Sequence, residues 1–135
     1  MIFNILQHNN IYNKCVIKIK IMNRTIENLY IWQLSRNVVN DIYNLMKDCK
    51  DYGFKDQIQR AAISIMNNIA EGFDSGSDKK FISYLNISRG SCSEVNSMLY
   101  ICEDFKICNK EERLLLQNKI KIISSGCIKL IQSLS

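Results

Sequence analysis

Between Ile58 and Ala70 the apolar residues fall three and four apart: Ile58, Ala61, Ala62, Ile65, Ile69 and Ala70. That spacing gathers them on one face of an α-helix. The two alanines leave room for a neighbouring helix to come close. Gly72 then stands where a left-handed residue commonly ends a helix. The stretch from Gln57 to Gly72 therefore reads as an amphipathic, sharply ended helix that needs partners to cover its face.

The rest of the chain supplies them. No residue is proline and only five are glycine, a scarcity of breakers that turn-rich β folds rarely show. A first helix is expected from about Ile26 to Cys49, with Thr25 as N-cap and Gly53 marking the stop. Its buried face would carry Leu29, Trp32, Val39, Ile42, Tyr43, Met46 and Cys49. The second covers about 54–71 and is followed by the loop 73–77. The third runs from Asp78 to Phe105 behind Ser77, with Phe81, Leu85, Ser88, Cys92, Val95, Leu99, Cys102 and Phe105 on one face. Gly90 sits in its interior at a cost of about 1 kcal/mol relative to alanine, which predicts a packing role there. Asn109-Lys110-Glu111-Glu112 has the order of a capping box and opens the fourth helix, whose apolar positions include Leu115, Ile120, Ile123, Cys127, Leu130, Ile131 and Leu134. Four such helices with short connections predict an all-α, antiparallel up-down-up-down bundle over residues 22–135.

Residues 1–21 break this pattern, since Val16 to Ile21 alternates like a short strand. Met22 directly precedes the helical region, so the first 21 residues read as an extension that an over-long gene start would explain; an edge strand or partner-binding arm is the alternative. The opening stretch lacks the basic region and cleavage site of a secretory signal, and no apolar run approaches the roughly 18 residues of a membrane span.

The formal charge of +5 says less than it promises. Lys14, Lys18 and Lys20 fall in the acid-free first 21 residues, leaving 15 basic against 13 acidic residues in the remainder. Six cysteines contain no Cys-x-x-Cys pair, and the only histidine is His8, so a zinc site is not expected. Cys92, Cys102 and Cys127 lie on apolar faces and read as buried free thiols of a reducing, cytoplasmic protein.

The segment Gln57–Gly72 resembles D-Q-[IL]-R-R-A-A-x-S-I-P-x-N-I-A-E-G, the signature of the four-helix-bundle proteins encoded in intervening sequences of bacterial 23S rRNA genes. Leu29, Trp32, Ile42 and Tyr43 resemble that family's L-x-x-W and I-Y pattern, and Phe81 to Glu94 its F-x-x-F-L-x-I-A-x-G-S-x-x-E run. The resemblance covers about residues 26–134. It implies a ring-like homo-oligomer, commonly a pentamer, without enzymatic activity. It also points to a distant relative, the Avd protein of diversity-generating retroelements, which binds a reverse transcriptase and nucleic acid. Two positions depart from the pattern: Met66 replaces a proline, predicting a second helix that runs straight through, and Ser75 stands near a usual loop arginine. The motif marks Gln57, Arg60, Ser64, Asn68, Glu71, Gly72, Ser91 and Glu94 as assembly residues.

No catalytic constellation accompanies these residues. Glu71 and Glu94 have no histidine near them in sequence, neither Gly76-Ser77 nor Gly90-Ser91 makes a hydrolase elbow, and no cofactor motif is present. Glu71 is expected to bond backbone or a cation such as Arg60. The located functional signal is basic: Arg60, Lys79, Lys80, Arg89, Lys119, Lys121 and Lys129 lie on helices two to four, and a ring would repeat them around an axis. The expectation is an oligomer that binds RNA or DNA with little sequence preference. The alternative is a protein scaffold that recruits a partner, such as a reverse transcriptase, through leftover apolar residues including Ile82, Ile87, Met98 and Ile101.

Overall fold

Side-chain caps begin three of the four helices. The computed structural model describes residues 25–135, so the strand-like segment and the start at Met22 lie outside the described residues. Asp51 accepts from the Phe54 amide and opens α2 (Tyr52–Asp74), and Ser77 accepts from the Lys80 amide and opens α3 (Asp78–Asp104). Asn109 and Glu112 form the full capping box that opens α4 (Lys110–Leu134). Only α1 (Tyr30–Leu45) starts without one. Ahead of it Ile26–Asn28 makes a 3-10 turn, and the extended backbone of Leu29 separates the two. The single first helix expected over 26–49 is therefore shorter at both ends, and the Thr25 side chain caps nothing.

Each helix packs on its two neighbours, with α1 closing against α4, and the broadest contact joins α2 to α3. Paired residues run in opposite directions across the seams. Ser64 meets Ser91 while Gln57 meets Glu94, and Lys119 reaches Asp41 while Gly126 abuts Ile31. The result is the antiparallel four-helix bundle expected from the periodicity. Its core contains Ile58, Ala61, Ala62, Ile65 and Ile69 from α2, and Leu85, Cys92, Val95, Leu99 and Cys102 from α3. Two buried serines are satisfied within the helices: Ser88 donates to the Ile65 carbonyl at 2.9 Å and Ser35 to the Ile31 carbonyl at 2.5 Å.

The first turns of the buried faces depart from expectation, while Ile42 and Met46 on α1 and Ile120, Ile123 and Cys127 on α4 are buried as expected. Ile31, Ser35 and Val38 fill the core beside Ile42 and Met46, whereas Tyr43 is 45% exposed. Trp32 is half-buried at the margin, with the Arg36 guanidinium 6.0 Å from its ring. On α4 Leu116 is buried and Leu115 is 66% exposed, and Phe105 beyond α3 is 73% exposed. In each case a large apolar side chain sits beside the stripe, where its size suggests burial but its angular position denies it.

Three glycines also differ from expectation. Gly53 lies inside the first turn of α2 instead of stopping α1. Gly72 is a buried interior residue of a helix that continues to Asp74. A Cβ there would lie 2.6 Å from Phe81 and 2.9 Å from Cβ of Tyr84, so Gly72 lets α2 and α3 touch as they enter their turn. The left-handed residue is Gly76, at φ 69°. Gly90 is exposed and nothing lies within 4 Å of its added Cβ, so no packing inside the bundle accounts for it. With methionine at position 66, α2 runs without interruption.

Gly72→Ala is expected to lower stability in urea unfolding by about 1–3 kcal/mol, because the Phe81 ring is buried and Cβ of Tyr84 is fixed by its helix. Gly53→Ala, which meets only Asp51 at 3.7 Å, should leave stability at or above the starting value.

Candidate functional site

Five of the eight motif residues come together along the α2–α3 seam. Ser64 Oγ and Ser91 Oγ lie 2.8 Å apart. Asn68 Nδ2 donates to the Ser64 carbonyl at 2.8 Å and to its hydroxyl at 3.0 Å. Two turns away Gln57 Nε2 donates to Glu94 Oε1 at 3.4 Å. This polar ladder flanks the apolar contact and sets the register of the two helices. Its groups are committed to one another, and a hydroxyl pair without a base or an activating charge does no nucleophilic chemistry.

The other three motif residues play different parts. Gly72 is the close-approach residue. Arg60 points to solvent and pairs with Asp56 on its own helix at 2.8 Å, far too exposed to add much stability. Glu71 is exposed and forms no hydrogen bond or ion pair among the described residues, so the expected bond to backbone or Arg60 is absent there. It lines a shallow hollow at the α2–α3 turn with Asp74, Ser75 and Lys80. Ser75 donates to the Gly72 carbonyl at 2.7 Å and closes that turn.

The seven cations divide into two groups. Lys119 on α4 binds Asp41 at 2.6 Å and Asn37 at 2.5 Å on α1, and so joins two helices. Arg60 holds Asp56, and Arg89 donates to Asn86 on its own helix at 3.2 Å while its Nε is buried without a partner. Lys79, Lys80, Lys121 and Lys129 are exposed and form no ion pair among the described residues; the first two begin α3 and the others lie along α4.

Between α3 and α4 the structure holds a groove of about 460 Å³, lined by Cys92, Ser93, Asn96, Leu114, Gln117, Asn118, Ile120, Lys121 and Ser124. Most of these polar residues went unremarked in sequence. Gln117, Lys121 and Ser124 recur at four and three on α4 beside its apolar stripe, which is the signal that could have singled them out. Arg113, also unforeseen, is buried at one end. It bonds Glu103, donates to Gln117 Oε1 at 2.7 Å and lies 4.6 Å from the centre of the Tyr100 ring.

Three of the thiols are held protonated by burial. Cys92 and Cys102 are pushed up to about 12 and Cys127 to about 11, in each case chiefly by burial. They remain protonated and unreactive at neutral pH. No group of three or more histidine, cysteine or acidic residues among the described residues could hold a metal ion. None of the described helices is long and apolar enough to cross a membrane.

Two predictions follow from the seam and the thiols. A double-mutant cycle on Ser64→Ala and Ser91→Ala should give a coupling of about 0.5–1.5 kcal/mol, the net worth of one such hydrogen bond. The folded thiols ionise later than the unfolded ones, whose ordinary value is 9.0. Their contribution to stability is therefore complete below pH 9 and declines as pH rises toward 11–12. Urea unfolding from pH 8 to 11 should show that decline, and Cys92→Ala with Cys127→Ala should flatten it.

Comparisons with known proteins agree on the architecture. A solved protein of unknown function from the S23 ribosomal protein family of Bacteroides thetaiotaomicron is 24% identical. It aligns over 76% of this chain and 98% of its own, with a TM-score of 0.70. No curated protein matches. The family described as 23S rRNA-intervening sequence protein matches residues 27–129, which span the whole bundle from its first turn to the last part of α4, and the chain belongs to that family.

Proposed function

We propose that this protein is a non-catalytic, self-associating scaffold of the cytoplasm that binds RNA or DNA. The observation that carries the reading is the four exposed lysines, Lys79, Lys80, Lys121 and Lys129, none of which holds an acid among the described residues. The described residues carry 14 basic and 13 acidic side chains, so attraction for a polyanion would come from local placement and from repetition in an oligomer. A homo-oligomer, with a pentamer favoured by the resemblance above, would array these cations around an axis.

Self-association has its own support on α3. Ile87 and Ile101 are 50% and 38% exposed, and Gly90 and Glu94 lie between them on the same outer face. A mid-helix glycine whose added Cβ would meet nothing within 4 Å among the described residues is accounted for if another helix backbone crosses there. The same face favours a second reading, recruitment of a partner protein such as a reverse transcriptase without nucleic-acid contact. That partner is suggested by analogy of fold alone.

Filter binding of labelled RNA and DNA across a salt series tests the first reading. Affinity should fall steeply as salt rises, and absence of binding at low salt overturns it. A protein partner that stays bound after nuclease digestion would favour the second. In light scattering, Gly90→Leu should reduce the solution mass while leaving the helical circular dichroism unchanged.

A further inference from the structure

The groove between α3 and α4 differs from the hollows at the α1–α4 seam and the α2–α3 turn in what it leaves uncommitted. None of its lining residues is acidic. The side chains of Asn96, Asn118 and Ser124 form no hydrogen bond within the described residues, and Lys121 forms no ion pair. By contrast, the hollow between α1 and α4 contains Asp41, Glu112 and the already paired Lys119. The one at the α2–α3 turn contains Glu71 and Asp74.

Both ends of the groove add to the pattern. One turn beyond Ser93 stands Arg89, whose Nε is buried without a partner. A guanidinium N–H in that state is a donor awaiting an acceptor. Its charge reaches both Cys92 on α3 and Cys127 on α4, which places it on this seam. At the other end, one turn beyond Asn96, lies the half-exposed ring of Tyr100, which rests on Arg113. From Arg89 to Tyr100 the helix rises about 16 Å.

Resting on the nucleic-acid reading above, we propose that this groove is the binding site and that it takes a single strand. Lys121 and Arg89 supply positive charge for phosphates. Asn96 and Asn118 each present a donor and an acceptor side by side, the pattern that pairs with base edges. Tyr100 offers a surface on which a base stacks, an interaction open to every base and thus tolerant of sequence. In a duplex the Watson–Crick edges are paired and the bases stacked on one another, so the amide and ring contacts are lost and only the phosphate contacts remain. An acidic peptide would satisfy the lysine and arginine, and its backbone could pair with the amides, but it would bring no base to stack on the Tyr100 ring.

The test uses the full chain and a fluorescent twelve-residue oligouridylate, read by polarisation at low salt, with a hairpin duplex of the same length as comparison. Asn118→Asp, which adds a negative charge at an exposed position without changing size, should weaken binding about tenfold. Lys121→Gln should weaken it and reduce the salt slope by about one phosphate contact. The single strand should bind more tightly than the duplex. If the unaltered protein binds neither, the nucleic-acid reading fails and the groove assignment with it. If it binds and both groove variants bind equally well, while Lys79→Gln with Lys80→Gln releases the strand, the reading stands and the groove assignment is overturned. Displacement by poly-glutamate at equal charge concentration, as effective as by unlabelled oligouridylate, would overturn the single-strand assignment and leave a site for polyanions in general.

Discussion

The approach of α2 to α3 at Gly72 is the contact on which the rest of the bundle depends. With no side chain at Gly72, the ring of Phe81 and the stem of Tyr84 lie directly on the α2 backbone, and a turn of only three residues joins the helices. From that fixed point the two axes run side by side. Ser88 reaches the Ile65 carbonyl, Ser64 meets Ser91, and Gln57 meets Glu94 in succession. A pair of helices clamped at the turn and matched by hydroxyls along its length presents a rigid platform on which α1 and α4 lay their apolar faces.

The same hairpin explains why the family signature concentrates where it does. Its alanines and glycine govern how near the helices come, and its serines and asparagine decide where they stop sliding. These are requirements of packing and register, met by residue types that also populate active sites. Arginine, serine, asparagine and glutamate in one short segment suggest chemistry until their partners are known. In the structure Ser64 bonds Asn68 and Ser91, and Arg60 holds Asp56 on its own helix.

Helix number and order were legible from the chain, as were the caps at Ser77 and Asn109, which need only three or four neighbouring residues. The Asp51 cap was not read, and Thr25 caps nothing because a 3-10 turn and the extended Leu29 stand between it and α1. What resisted reading was decided by distant contacts. Gly72 and Gly76 look alike in sequence, and only Phe81 distinguishes the buried glycine from the left-handed one. The phase of α1 turned on whether Ile31 or Trp32 faces α4, and the larger ring lost because Gly126 makes space for Ile31. Lys119 and Lys121 differ by two positions and have opposite fates, since one faces Asp41 across a seam and the other faces the groove. Charge is a property of the residue, but availability is a property of the fold.

Arg113 carries a consequence for how that groove would meet anything placed in it. An apolar seam between two helices slides at little cost, because one methyl group replaces another. A guanidinium on α4 that bonds Glu103 and rests on Tyr100 joins α4 to α3 at one register. Shifting α4 by a single turn, about 5.4 Å, would part it from both and leave the buried charge unpaired. Arg113 thus acts as a stop on the slide, and the spacing between Asn96 on α3 and Asn118 on α4 is held before any visitor arrives.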